Sequence, residues 1–277
     1  MQDTIRVGDL EMCYELADYT APWRESPPET FLLHHGYARN KLFWQQWVPR
    51  LARDYRVLRF DARGCGGTSK PTADAYSLEQ IAQDAIGLMD ALGIDRVHWV
   101  GESSGGIIGM VAALNHADRL RTLTVCDTPF KRPATIESTY KLGEPTRAAA
   151  FDKYGIGGWC RQTLSYRLDT GKASAALCEW YIAQMDQTPK HCVNAMDAAL
   201  RAGDLWPRLP EIRTPMLIMG GANSPIANEE QRRVMRERIP HARFATFEGY
   251  GHGVNLLAPD LCIGEIRKFI ELGGGGH

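Results

Sequence analysis

The chain has 277 residues, 44% of them apolar and 23% charged, which is the balance of an ordinary globular protein with one sizeable core. Its 32 lysines and arginines meet 33 aspartates and glutamates, so the formal net charge of −1 gives no electrostatic case for nucleic acid or an anionic membrane as partner. The seven cysteines are scattered and form no Cys-x-x-Cys pair, which argues against a zinc site or a disulfide framework and fits reduced thiols in a cytoplasm.

The N-terminus lacks the basic start and apolar run of a signal peptide, and the longest apolar helical stretch, Ile107 to Leu114, is too short to span a bilayer. In chain order, Thr4–Val7 and Glu11–Leu16 flank the turn pair Gly8-Asp9 and read as a hairpin. Thr30–His34 and Tyr55–Phe60 are short apolar runs ending at turn residues, and Phe43–Leu51 between them has helical spacing. Ser77 is a good N-cap for a helix over Leu78–Leu92, stopped by Gly93. Arg96–Val100 reads as a strand, Ser104–Asn115 as a helix and Leu120–Cys126 as a strand. Residues 130–209 then offer helical patterns rich in tryptophan and tyrosine but no strand. After Pro210 the alternation resumes, with strand Pro215–Gly220, helix Glu229–Arg238, strand Arg243–Phe247 and helix Asp260–Glu271.

Strands alternating with helices of this length call for an α/β fold, a mostly parallel sheet covered on both faces. Residues 1–129 and 210–272 are expected to form its core. Residues 130–209 are expected to form a helical cap over the carboxyl ends of the strands, where such sheets bind ligands. Gly273 to His277 reads as an appended tail.

The chemistry concentrates in Gly101-Glu102-Ser103-Ser104-Gly105, placed between a strand and a helix. A Gly-x-Ser-x-Gly in that setting makes a turn too tight for side chains beside the serine, and lifts the Ser103 oxygen clear of the sheet as a nucleophile. A serine hydroxyl needs a base, and His252, in the glycine-flanked loop Gly251-His252-Gly253 after the last strand, is the best placed of the eight histidines. Negative charge on a tetrahedral oxygen needs two N–H donors. Ser104 would supply one and Tyr37, in the loop His34-His35-Gly36-Tyr37, the other.

The order of His-Gly loop, Asp61-Ala62-Arg63-Gly64, nucleophile elbow, helical cap and Gly-x-Gly-His loop resembles the α/β-hydrolase superfamily over essentially the whole chain. The stretch Ala198–Leu205 before Ile212-Arg213-Thr214-Pro215 is similar to the 3-oxoadipate enol-lactonase and esterase group. That resemblance implies hydrolysis of an ester or lactone through an acyl-enzyme with no cofactor, and no metal is expected because the sequence carries no ligand cluster. The sequence departs from the common pattern at the acid. The position after the seventh strand reads Gly220-Gly221-Ala222-Asn223-Ser224, and neither serine nor asparagine can balance an imidazolium. Asp127, closing the sixth strand, is the alternative acid and is expected to take the Nδ1–H of His252. Asp61 and Arg63 read as braces of their loop, and the Glu102 side chain is expected to point away from the Ser103 oxygen.

In the cap, Trp159, Trp180, Tyr181 and Arg161 are the candidates for a pocket around a small, partly apolar substrate. Arg161 or Arg167 could meet a substrate carboxylate, although a solvated surface position is the plainer reading for each. The leading expectation is a cytoplasmic serine esterase or lactonase with a Ser103-His252-Asp127 triad. A carbon–carbon bond hydrolase or cofactor-free dioxygenase using His252 and Asp127, and a ligand receptor on a hydrolase scaffold, remain as alternatives. A small-molecule ester or lactone is the expected partner, neither nucleic acid nor membrane is, and a homodimer is left open.

Overall fold

The computed structural model describes residues 2–131 and 133–273; four of the five tail residues lie outside the described residues. Eight strands form one sheet: β1 (Asp3–Val7), β2 (Leu10–Ala17), β3 (Thr30–His34), β4 (Arg56–Phe60), β5 (Val97–Glu102), β6 (Leu120–Cys126), β7 (Met216–Gly221) and β8 (Arg243–Phe247). Their spatial order is β1-β2-β4-β3-β5-β6-β7-β8. The β1–β2 hairpin turns at Gly8 and β2 runs antiparallel to β4, while every pair from β4 onward is parallel.

The central strands are buried on both faces and read as continuous apolar runs, as parallel strands between helices must. One face is covered by α2 (Leu78–Ala91) and α3 (Ser104–Asn115), whose core includes Trp99, Met110 and Leu123. The other is covered by Trp44, Trp47 and, late in the chain, a helix over Pro259–Glu271. Ser77 caps α2 by accepting the Gln80 N–H at 3.0 Å, and Gly93, at φ 63°, closes it.

The single helix expected over Phe43–Leu51 is instead a 3₁₀ turn, Lys41–Trp44, followed by the one-turn helix α1 (Val48–Leu51). Pro49 explains the break: it has no N–H to donate back to residue 45, so helical bonding restarts at the proline.

Between β6 and β7 no described residue is in a strand. This segment holds α4 (Ala134–Thr139), α5 (Arg147–Gln162), α6 (Ala175–Asp186) and α7 (Lys190–Ala202), and has an apolar cluster of its own around Phe151, Trp159, Tyr181 and Met185. Beyond β7 come α8 (Glu229–Arg238), α9 (Val254–Leu257) and α10 (Pro259–Glu271). The register pairs His34 with Gly101, Glu102 with Cys126, and Cys126 with Met219. The carboxyl ends of β3, β5, β6 and β7 therefore share one sheet edge. The chain crosses from β4 over β3 to begin β5, so the loops after β3 and β5 flank the topological switch point where such sheets bind ligands. No helix among the described residues is long and apolar enough to cross a membrane.

Candidate active site

At the end of β5 the chain reverses into α3 through Ser103, whose backbone sits at φ 53°, ψ −121°. A non-glycine residue there is strained by about 1–3 kcal/mol and persists only because its surroundings impose it. Here the Ser103 N–H is held by the Cys126 carbonyl at 2.9 Å, and the flanking glycines leave no room for alternatives. A Cβ on Gly101 would fall into the Gly105 backbone, and one on Gly105 would meet the carbonyl oxygens of His34 and His35. Ser104, as the first residue of α3, presents a helix-start N–H beside Ser103.

His252 lies between β8 and α9 and is 1% exposed. Its peptide carbonyl accepts the Asp169 N–H at 2.8 Å, and the Asp169 carboxylate accepts the Gly251 N–H at 2.8 Å. The helical segment is thereby tied to the histidine loop on both sides of the ring. Ser103, Ser104, Tyr37 and His252 all line one cavity of about 700 Å³ between the sheet edge and the helical segment. His34, a competing imidazole at the end of β3, is pushed down to about 3 by burial and by its neighbour His35, which leaves it neutral and a poor base.

The expected Asp127–His252 hydrogen bond is not the arrangement found. His252 Nδ1 lies 3.1 Å from Ser224 Oγ, which also accepts the Ala227 N–H at 3.2 Å. The Asp127 carboxylate instead accepts three peptide N–H groups: Gly221 at 3.1 Å, Gly253 at 2.8 Å and Val254 at 3.1 Å. The physical reason is competition. Asp127 is completely buried at φ 47°, and the loop after His252 offers it two converging donors before the imidazole can. Burial pushes the Asp127 carboxyl above its ordinary range, while the charge of a protonated His252 and the peptide donors pull the other way. Asp127 thus holds the backbone that carries His252.

Glu102 was expected to turn away from the chemistry, and it does not. Its Oε1 lies 3.3 Å from His252 Nε2, and its Oε2 forms a buried ion pair with Arg39. Burial raises the Glu102 carboxyl, but Arg39 and His252 outweigh it and bring the pKa down to about 2. The site therefore contains an ionised carboxylate against the imidazole, supplied by the elbow itself. Ser103 Oγ makes no hydrogen bond to His252 in this arrangement. Catalytic hydrogen bonds in an empty site are commonly long and tighten around substrate. The sequence signal for Glu102 was its place one residue before Ser103; its direction depended on Arg39, 63 positions earlier.

The expected pocket residues are not brought to this cavity. Trp159 is fully buried, donates its indole N–H to the Tyr140 carbonyl at 2.7 Å and packs edge-on against Phe151. Trp180 lies on Phe43, as does Tyr181, whose hydroxyl reaches the Arg167 carbonyl. Arg161 is exposed and forks onto Glu179 at 2.5 and 2.6 Å. These aromatic rings form the segment's own core, and Arg161 sits on its solvent face. Arg167, by contrast, is buried and lines the cavity. Asp61 binds Lys41 and the Gly67 N–H, and Arg63 binds Asp84, so both brace their loop.

The α/β-hydrolase fold family matches residues 29–259. The chain belongs to this family and is a hydrolase of the α/β fold. A protein of Caulobacter sp. strain K31 that bears the name "Putative carbamate hydrolase RutD" is 28% identical over 257 residues, covering 89% of this chain and 92% of that one. The enol-lactonase from Burkholderia xenovorans LB400 superposes with a TM-score of 0.85 at 25% identity, covering 97% of this chain and 100% of the enzyme. A hydrolase from Pseudomonas aeruginosa PA01 gives 0.83 at 26% identity, with 97% and 98% covered. The resemblance read from the elbow and the loop motifs holds at the level of the family, and enol-lactonase is among its structural neighbours.

Proposed function

We propose that this protein is a serine hydrolase of small, partly apolar esters or lactones, and that the helical segment between β6 and β7 serves as its cap. The observation that carries the proposal is the strained Ser103 backbone at the end of β5, opening into the cavity that also receives His252. Ser103 Oγ attacks the carbonyl carbon while its proton passes to His252 Nε2. The tetrahedral oxygen is held by the N–H groups of Ser104 and Tyr37. Collapse expels the alkoxide, which takes the proton from His252, and leaves an ester on Ser103 that water then hydrolyses by the same exchange.

Charge accounting favours an unusual support for the base. The imidazolium formed in the first step is offset by Glu102 at Nε2, while Ser224 fixes Nδ1. An enol-lactone and a carbamate share a carbonyl carbon bearing a heteroatom leaving group, so two of the named relatives agree with this chemistry. The carbon–carbon hydrolase and dioxygenase readings drew on a His252–Asp127 pair, and the oxygens of Asp127 are engaged by peptide N–H groups.

The test is a panel of p-nitrophenyl esters and lactones turned over by wild type and Ser103→Ala side by side. Turnover should fall by on the order of 10³-fold or more in the alanine variant, and a covalent acyl adduct should be trapped on Ser103 by mass spectrometry. An alanine variant retaining most of its activity would overturn the acyl-enzyme reading, and a wild type that binds but never turns over would favour a receptor.

A further inference from the structure

The loop after β3, which brings the Tyr37 N–H toward Ser103, is not held by the sheet alone. The Arg39 N–H returns to the Gly36 carbonyl at 3.2 Å and closes a four-residue turn, and of its two central residues only Ala38 has a positive φ, 54°. That is the pattern of a type II turn, whose third position normally takes glycine. A buried alanine there is strained, and keeps its conformation only where neighbours impose it.

The core grips this turn at its flanks. His35 accepts the Ala62 N–H at Nε2, 2.9 Å away, which leaves the proton on Nδ1 to be donated to the Gly36 carbonyl at 2.8 Å. On the other side the Asp61 carboxylate accepts the Lys41 N–H at 2.7 Å. Between those flanks the ties run to the corner where α6 passes into α7. Thr188 donates its hydroxyl to the Ala38 carbonyl at 3.1 Å, Tyr37 donates its phenol to the Val193 carbonyl at 2.9 Å, and Asn40 donates its amide to Gln184 Oε1 at 2.8 Å. The Arg39 guanidinium, while paired with Glu102, also lies 5.0 Å from the ring centre of Tyr181 on α6.

Thr188 is the tie that bears on the strained residue. It is buried between the two helices, and its own N–H is bonded back to the Met185 carbonyl at 3.1 Å, so its hydroxyl starts from a fixed place. A return of Ala38 to negative φ would swing the Ala38 carbonyl off that hydroxyl and shift the turn in which Tyr37 presents its N–H. A donor aimed at developing charge acts through its exact placement, so a small shift is enough to slow the reaction.

We infer that Thr188 is a positioning residue for the oxyanion hole. It fixes the Ala38 turn and through it the Tyr37 N–H, so that the helical segment completes the site as well as covering it. This rests on the serine hydrolase reading above. Because the N–H is needed where charge develops, and not where substrate first binds, its displacement should fall on kcat and spare KM.

The experiment uses Thr188→Val, which keeps the shape without the hydroxyl, and Thr188→Ser, which keeps the hydroxyl. With the p-nitrophenyl ester that wild type turns over fastest, Thr188→Val should lower kcat by about five- to twentyfold with KM changed by less than about twofold, while Thr188→Ser stays within about twofold of wild type. A trifluoromethyl ketone, whose carbonyl carbon takes Ser103 Oγ while the hydroxyl proton passes to His252, sets an oxyanion in the hole and should lose affinity by the same factor as kcat. Ala38→Gly, at ease at positive φ, should restore most of kcat when added to Thr188→Val. Thr188→Val with wild-type kcat and ketone affinity, or with a loss confined to KM, would overturn the proposal. So would a loss shared equally by Thr188→Ser, or one that Ala38→Gly leaves untouched. If Thr188→Val is too unstable to assay, Gln184→Ala cuts the neighbouring tie at a half-buried position and should lower kcat and ketone affinity together by about two- to fivefold; no change there would equally overturn it. A wild type that neither hydrolyses an ester nor forms the ketone adduct would sink the hydrolase reading, and this proposal with it, whereas an active wild type confines any failure to Thr188.

Discussion

Glu102 Oε1 lies 3.3 Å from His252 Nε2, and the same carboxylate is held by Arg39 from the loop after β3. The residue beside Ser103 thus places a negative charge on the imidazole, where the common arrangement would place one on Nδ1 from the loop after β7. Removing that charge should leave the imidazolium less supported as it forms. Glu102→Gln is expected to lower kcat/KM by about ten- to a hundredfold, and to move the acidic limb of the pH–rate profile to lower pH. A variant with an unmoved acidic limb would show that Glu102 supports Arg39 alone.

The same pair makes a prediction about acid stability. The folded-state pKa of Glu102 is depressed to about 2 from an ordinary 4.5, so its contribution is present above pH 4.5 and is lost as pH falls toward 2. The difference corresponds to roughly 3 kcal/mol at most. Urea unfolding of wild type between pH 5 and 2.5 should lose stability more steeply than Glu102→Gln over that window. Parallel curves would contradict the assignment.

Asp127 and Ser224 divide a task usually given to one residue. Asp127→Asn would offer one carbonyl oxygen where two carboxylate oxygens met three N–H groups, and would turn an NH₂ toward a donor. It should cost about 1–3 kcal/mol of stability and lower activity with it. Ser224→Ala removes one hydrogen bond to the ring, and should lower kcat/KM by about tenfold with a melting temperature close to wild type. Calorimetry and kinetics on the two variants separate these roles. An Asp127→Asn protein that melts like wild type would discredit the loop-anchor role.

Gly105→Ala tests the elbow itself. The added methyl would fall against the carbonyl oxygens of His34 and His35, both backbone atoms of β3 and its loop. A loss of about 2 kcal/mol or more is expected from denaturant titration, together with loss of turnover, because β3 and the nucleophile cannot then keep their spacing.

The elements were legible where periodicity and punctuation agreed. Ser77 and Gly93 bracket α2, Gly8 turns the hairpin, and the apolar runs of β3, β5 and β6 are those of a parallel sheet. Phe43–Leu51 misled because its helical spacing runs across Pro49, which has no N–H to continue the helical bonding. That Ser103 and His252 sit in turns at the same end of the sheet was legible because the turn around each carries glycine. The directions of Glu102, Asp127 and Arg167 were not, since each depends on partners far away in sequence: Arg39, the Gly253 and Val254 amides, and the rings of Tyr140 and Trp159. Composition could mark the tryptophans of the helical segment as important but could not distinguish core from pocket.

The Asp169 staple bears on how a substrate reaches Ser103. A lid hinged at this corner would have to release the His252 carbonyl and the Gly251 N–H each time it lifted, and so take the base apart with every turnover. The corner nearest the histidine must then behave as a fixed pivot. Traffic is left to other parts of the cavity lining, which includes Lys131, Lys141 and Asp204. The rate of product escape would accordingly answer to changes away from the Asp169 corner while the chemical step stays untouched.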